Sequence, residues 1–386
     1  MAASNVYGPG STGRSKPASS DEMGAAVMHS ALVIGTGLVG TSVALALRAH
    51  AVTVHLRDAD PEAVRTAASL GAGTARPPSE AVDLAVVAVP PPHVARVLAG
   101  LQAEGVAAHH TDVASVKAEA QREAVALGCD TSSYIGGHPM AGAAHSGPLK
   151  ARADLFEGRM WALTPTPDTG TETLNTALEL VALCDAVPVV MEAVAHDRAV
   201  ALVSHAPHVV ASLVAQRLEH AGEREVSLAG PGLRDLTRIA EADPGLWMDI
   251  LGANARVVAD LLEELGTDLG RMVTALRGLA GDGRERADGL AVVEDVLRRG
   301  RTGRARISGK HDTRPERFET VTAVIGDQPG ELARLFADAD QAGVNIEDVR
   351  IEHATGQPAG LVQISVLPGL AATLRKALHN QGWRQR

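Results

Sequence analysis

ALVIGTGLVGTS, residues 31–42, is a short apolar run that breaks into a glycine-rich turn and resumes as a helix predicted over Leu38–Ala49. Gly35, Gly37 and Gly40 stand in the spacing G-x-G-x-x-G. Between a strand and a helix, that spacing suits a dinucleotide. Gly35 permits the tight turn, Gly37 lets backbone approach a pyrophosphate, and Gly40 lets helix and strand pack closely. Leu38 opens the helix, whose free N–H groups and partial positive charge face the anion. Asp58 follows the second predicted strand, 18 residues beyond Gly40. An acid there accepts hydrogen bonds from a ribose diol and repels a 2′-phosphate, which favours NAD over NADP. Arg57 beside it works against that preference, and the alternative for Asp58 is a helix-capping or turn acid.

Outward from this stretch the pattern alternates between strand and helix. VTVHLR (52–57) alternates like a strand, and 61–70 reads as a helix with Pro61 at its start, where the missing N–H does no harm. VDLAVVAV (82–89) is nearly continuous and apolar, as expected of a strand covered on both faces. It runs into Pro90, Pro91 and Pro92, where the chain must leave the ladder, so Pro90 falls at the edge where a doubly wound sheet binds its ligand. A helix over Val94–Leu101 and an extended Ala107–Asp112 follow. The alternation predicts an α/β, doubly wound parallel sheet, a Rossmann-type dinucleotide domain over 31–190. From about Met191 the strand-like runs stop. Amphipathic stretches at Val194–Leu218, Trp247–Leu265 and Thr267–Leu279 predict a helical domain over 191–312. RRGRTGRARISGKH (298–311) reads as a solvated basic linker. Residues 318–386 resume a mixed pattern: strands at Thr320–Ile325 and Leu361–Leu367, an extended Val344–His353, and helices at Gly330–Ala342 and Ala371–Gln381. Residues 1–30, rich in Ser, Gly, Ala and Pro, read as a disordered tail without a secretory apolar segment.

Composition narrows the function. The 386 residues carry a net charge of −10 with three Trp, two Tyr and three Phe, so the chain lacks both the basic field and the stacking rings of a nucleic-acid binder. A hydrophobic share of 45% is enough to bury a core. The two cysteines, Cys129 and Cys184, exclude a disulfide scaffold and fit a reducing cytoplasm. The longest uncharged stretch, Ala31–Leu47, is short for a membrane span and holds the glycine turn, so no membrane partner is expected.

The histidines form a second constellation. DVASVK (112–117) follows one predicted strand and GGHPMAG (136–142) another, so Ser115 and His138 belong at the cofactor edge. His196-Asp197 and Ser204-His205-Ala-Pro207-His208 lie on a predicted helix that Pro207 should kink. His205 and His208 share a face, whereas a straight helix puts His196 on the far side. Each histidine alone is an ordinary packed or surface residue; beside a nicotinamide site they suit acid–base chemistry on an alcohol. A zinc site wants a third ligand that is not marked, so no metal is expected. Arg234 and Arg238 share a helical face, suited to bidentate carboxylate binding or to salt bridges with Asp235 or Glu241.

GTGLVGTS, DVASVK, GGHPMAG, HDRAVALVSHAPH and GLRDLTRIAEADPGLW, in this order over about residues 31–312, resemble the prephenate/arogenate dehydrogenase family of tyrosine biosynthesis. The resemblance implies an NAD-binding domain, a helical domain that forms a homodimer, and a cleft that takes prephenate or arogenate. It makes His138 the catalytic histidine on the ring hydroxyl, Ser115 the serine that orients it, and Arg238 the holder of a substrate carboxylate. Ser204, His205, His208 and His196 then line the pocket; Arg234, Asp235 and Trp247 are further substrate-side positions, with Trp247 lent across the dimer. After GGHPMAG some prephenate-specific relatives carry a Glu; here Ala143, Ala144 and His145 follow, which leaves prephenate and arogenate both open. Asp327, Pro329, Gly330 and Asn345 resemble the effector motif of an ACT domain over 318–386, a βαββαβ unit for which tyrosine is the implied effector. A β-hydroxyacid-type dehydrogenase or imine reductase would share the fold but leaves GGHPMAG unexplained, and a non-catalytic sensor leaves the Ser115–His138 pair unexplained.

Overall fold

The computed structural model describes residues 28–141, 147–307, 318–326, 328, 330–353 and 359–385. Its elements begin β1 (Ser30–Ile34), α1 (Leu38–Ala49), β2 (Thr53–Arg57), α2 (Pro61–Ser69), β3 (Val82–Val87), α3 (Val94–Glu104), β4 (Ala107–Asp112), α4 (Ala118–Ala126), β5 (Tyr134–Pro139), β6 (Met160–Thr164), α5 (Thr171–Leu183) and β7 (Val187–Val190). The helices α6 (Ala193–Val200), α7 (Ala206–Gln216), α8 (Glu223–Val226), α9 (Pro231–Thr237), α10 (Pro244–Ala253), α11 (Ala255–Gly278) and α12 (Gly283–Arg304) follow. Last come β8 (Glu319–Gly326), α13 (Glu331–Gln341), β9 (Asp348–His353), β10 (Ala359–Val366), α14 (Ala371–Asn380) and β11 (Arg384–Gln385). Two compact units result, one up to Asp268 and one from Leu269. The break falls inside α11; α6 packs on α4 and α10 packs on the turn Pro91–His93.

The first unit holds a seven-stranded sheet in the order β2-β1-β3-β4-β5-β6-β7. β1 to β5 pair in parallel, with β2 and β3 on opposite sides of β1, so the crevice beyond the carboxyl ends of β1 and β3 is a topological switch point. The expectation of a wholly parallel sheet needs correction. β6 runs antiparallel to β5, and β7 returns parallel to β6 through α5. Among the described residues no α-helix connects β5 to β6, and a parallel pairing needs such a crossover. The apolar run of β3 is explained by burial on both faces: Leu84 and Val86 join one core with Val33, Val43 and Leu47, while Ala85 and Val87 join another with Leu32, Ile34 and Val94.

Two local expectations also change. The disordered tail reaches too far: Met28 is buried with its N–H donating to Glu179 Oε1 at 2.7 Å, and the N–H groups of His29 and Ser30 donate to Asp83. Residues 1–27 lie outside the described residues. The basic stretch read as a linker is helical as far as Arg304, held by Arg298 and Arg299 pairing back to Asp295 along the helix. Its end, 308–311, lies outside the described residues.

In the second unit α11 and α12 meet at Gly289, where a Cβ would lie 2.7 Å from the Ala275 carbonyl oxygen. The remaining strands form an antiparallel sheet, β11-β8-β10-β9, with the chain order βαββαβ. Val321, Ala323, Val362, Ile364, Leu335, Leu374 and Leu378 form its core.

Candidate active site

The glycine turn has the shape its spacing asks for. Gly35 takes φ +96°, and a Cβ there would lie 2.2 Å from the Ala88 carbonyl oxygen at the end of β3. A Cβ on Gly40 would lie 1.9 Å from the Gly35 oxygen and 2.9 Å from Ala88 Cβ. At Gly37 a Cβ would meet nothing within 4 Å. That open side, beside an α1 N-terminus with no side-chain cap, is where a pyrophosphate fits. Leu38, the first residue of α1, is buried. Asp58 accepts from the Thr36 N–H at 2.5 Å and from Thr36 Oγ1 at 3.0 Å, which ties the end of β2 to the turn. Pro90 is exposed just past β3. These residues fit a dinucleotide. The contrast between glycines makes a prediction. Gly40→Ala destabilises the protein by about 3 kcal/mol, because two backbones must separate. Gly37→Ala keeps the urea midpoint but weakens NAD binding about tenfold, a change of about 1.4 kcal/mol. Denaturant titration and NAD titration read the two effects.

His138 lies within β5, not on a loop after it. Gly136 and Gly137 let this strand lie close to its neighbours: a Cβ on Gly137 would fall 2.6 Å from the Asp112 oxygen, and one on Gly136 would fall 2.4 Å from Thr164 Oγ1. His138 Nδ1 is 2.9 Å from His196 Nε2, and His196 Nδ1 is 2.8 Å from Asp197 Oδ1. Asp197 also accepts from the N–H groups of Lys117 and Ala118 at the start of α4, both at 2.9 Å. A carboxylate with these donors only accepts, so His196 Nδ1 carries a proton and, in the neutral ring, its Nε2 does not. His138 Nδ1 must then donate to it. Neutral His138 is left with a bare Nε2, a proton acceptor. Burial, then His196, Lys117 and His205, hold His138 well below the ordinary 6.5, so the ring stays neutral.

Beneath β5 lies a buried charge cluster. Lys117 and Asp112 form an ion pair with both side chains at 0% exposure. Lys117 Nζ also donates to the Gly137 carbonyl at 2.6 Å, and Tyr134 Oη donates to Asp112 Oδ2 at 2.7 Å. Desolvation pulls the Lys117 ammonium down, against the attraction of Asp112.

The helical side corrects the geometry expected of a straight helix. Ala201–His205 is a π turn between α6 and α7, directly before Pro207, which has no N–H to give an α-helical bond. Each π residue turns the chain by less than the roughly 100° of an α-helix. His196 and His205 therefore do not end on opposite sides: both are buried, and both act electrostatically on His138. Asn254 holds this arrangement, its Nδ2 donating to the Asp197 carbonyl at 2.9 Å and lying 3.2 Å from His205 Nδ1. His205 is pushed down to about 4, chiefly by burial. Trp247 stacks on His208 of its own chain, with ring centroids 3.5 Å apart and planes 7° apart. By length and composition Ala193–Gln216 is apolar enough to cross a membrane. It carries His196, Asp197, His205 and His208 on its buried side, as a helix of the domain does.

Ser115 and Ser204 are half-buried, and Arg234, Asp235 and Arg238 are exposed. Neither arginine makes an ion pair among the described residues, including with Asp235 or Glu241. Among the described residues no cluster is placed to hold a metal ion. Ala143, Ala144 and His145 lie outside them. The reading of the sequence gave no role to Asn254, Tyr134 or Lys117. DVASVK did hold Lys117, but a lysine in a motif does not announce its burial.

Residues 43–190 match the prephenate dehydrogenase nucleotide-binding domain, and residues 192–292 match the prephenate dehydrogenase dimerization domain. "Probable prephenate dehydrogenase NovF" of Streptomyces niveus is 44% identical over 360 residues, covering 92% of this chain and 99% of that protein. The chain belongs to the prephenate dehydrogenase family. Within the family, the prephenate dehydrogenase of Lactococcus lactis is 33% identical over 250 residues, 61% of this chain and 68% of its own. The crystal structure of prephenate dehydrogenase from A. aeolicus, in complex with hydroxyphenyl propionate and NAD+, superposes with a TM-score of 0.62 at 27% identity, covering 73% of this chain and 99% of that one.

Proposed function

We propose that this protein is a prephenate dehydrogenase, an NAD-dependent oxidoreductase that converts prephenate to 4-hydroxyphenylpyruvate and carbon dioxide in tyrosine biosynthesis. The observation that carries the reading is the bare Nε2 of His138, held on β5 in the same unit as the glycine turn. Gly35, Gly37, Leu38, Gly40, Asp58 and Pro90 would hold NAD+. When bound, NAD+ accepts the hydride that leaves the hydroxyl-bearing ring carbon. His138 takes the hydroxyl proton as the hydride departs, and the ring carboxylate leaves as the ring becomes aromatic. Ser115 orients the hydroxyl. Ser204, His205, His208, Arg234, Asp235 and Trp247 line the substrate side.

Exposed and without an ion pair among the described residues, Arg238 is free to bind a substrate carboxylate bidentately. Arg238→Gln therefore raises KM about tenfold or more with a smaller change in kcat, as loss of uniform binding does. Steady-state kinetics over a range of prephenate concentrations checks it, and an unchanged KM moves Arg238 out of the site. Purified protein with NAD+ and either prephenate or arogenate tests the whole reading. Turnover of prephenate supports it, faster turnover of arogenate reassigns the substrate, and turnover of neither overturns it.

The protein works as a cytoplasmic homodimer. Its second unit, with βαββαβ order and Gly330 at φ +91° before α13, supports an ACT-type regulatory unit that takes tyrosine. Of the implied effector residues, Asn345 is exposed and donates to Glu347 Oε1 at 2.7 Å, while Asp327 and Pro329 lie outside the described residues. Inhibition of turnover by added tyrosine is the expected result.

A further inference from the structure

His196 is only 1% exposed, and both of its ring nitrogens are engaged by protein groups. It lies between the acceptor ring of His138 and the carboxylate of Asp197. The atoms of the proposed reaction explain why such a place is useful. Prephenate and NAD+ give 4-hydroxyphenylpyruvate, carbon dioxide and NADH with no net release of a proton. The hydroxyl proton that leaves as the ring carbon is oxidised must return to the phenol oxygen. A base for this reaction needs somewhere to keep a proton, and no exit to water.

We propose that His138, His196 and Asp197 form a closed proton relay in which His196 stores the substrate's hydroxyl proton during the reaction. In the first step the substrate O–H bond breaks and its proton goes to His138 Nε2. The Nδ1 proton of His138 passes over 2.9 Å to His196 Nε2. Hydride passes from the ring carbon to NAD+, and the carbon–carboxylate bond breaks with its electron pair entering the ring. The transfers then reverse, and the phenol oxygen recovers its proton. His196, doubly protonated while it holds the charge, faces Asp197, whose negative charge is itself held by the N-terminus of α4. On His138 the same charge would face Lys117 and His205. The other charged groups nearby are already committed: Asp112 and Tyr134 to Lys117 and to each other, and His208 to the face of Trp247. His196 and Asp197 are thus positioning residues that act through His138.

The relay rests on the reading of His138 as the base, and its test separates the two. His196→Asn keeps an oxygen that can accept from His138 Nδ1 but cannot hold a proton. Asp197→Asn keeps an acceptor for the start of α4 but removes the charge. Each variant should lower kcat roughly 10- to 100-fold with KM little changed. Each should also move the acid limb of the kcat–pH profile to lower pH, because the group that favours the protonated relay is gone. A loss of kcat with the acid limb unmoved means that His196 merely orients His138, and it overturns the relay; so does turnover within about threefold of the wild type. Nitrogen NMR of histidine-labelled wild-type protein needs no substrate and no variant. The expected spectrum has both rings neutral with Nδ1 protonated. An Nε2-protonated His138 overturns the relay whether or not prephenate is turned over. Absence of wild-type turnover with the expected tautomers overturns the substrate reading instead.

Discussion

Replacing His138 by Asn lowers kcat by about 10²–10⁴-fold, the range that general acid–base catalysis contributes. The Asn amide can still donate to His196 Nε2, so the local bonding survives and NAD affinity stays near its wild-type value. What is lost is a lone pair basic enough to take the hydroxyl proton. Absorbance at the nicotinamide band follows turnover, and a separate NAD titration follows binding. A kcat within about threefold of the wild type would remove His138 from the chemistry. The pH dependence has a definite sign. Burial and the charges of His196, Lys117 and His205 disfavour protonated His138, so its neutral, active form persists to lower pH than in an exposed histidine. The acid limb of the rate profile accordingly lies below that of a solvent-exposed imidazole.

Lys117→Met destabilises the protein by about 3–5 kcal/mol, the usual cost of removing one partner from a buried ion pair. Lys117 and Asp112 are both wholly buried, so the carboxylate left behind has no route to water. Tyr134 Oη and the Ala114 N–H, at 2.7 and 2.8 Å, still donate to Asp112, which places the effect toward the lower end. Urea unfolding measures it as a fall in midpoint at constant slope. A change below about 1 kcal/mol would mean that the cluster relaxes or admits water. The same substitution removes the Nζ–H donated to the Gly137 carbonyl, one residue before His138. Activity should therefore fall even under conditions where the variant remains folded, whereas Arg122→Ala, which removes an exposed pair on α4, should change neither.

Much of the first unit could be read from residue order alone. G-x-G-x-x-G reports a backbone need that each of its glycines meets: Gly35 by its positive φ, Gly40 by its close approach to the Gly35 carbonyl and Ala88, Gly37 by the space it leaves. The apolar run Val82–Val87 reports a strand covered on both faces, because burial writes itself into consecutive residues. GGHPMAG marked His138 but placed it after the strand instead of within it. Between residues 143 and 190 β6, α5 and β7 went unread, and with them the antiparallel turn of the sheet. β11 is only two residues long and carries no pattern of its own.

Residue order determined the dinucleotide turn and the alternation of strand and helix, since each depends on neighbours within a turn or a strand; the proposed reactive imidazole, His138, was marked by a motif that resembles a family's. Only the tertiary structure decided what holds that imidazole. His138 and His196 are 58 residues apart, and Asp197 reaches back 80 residues to the start of α4. The π turn before Pro207 sets which face His205 takes, and helical spacing assumes a regular helix that this segment does not keep. A hydrogen-bond chain is a matter of distance and angle between groups brought together by packing, and such distances leave no period in the sequence.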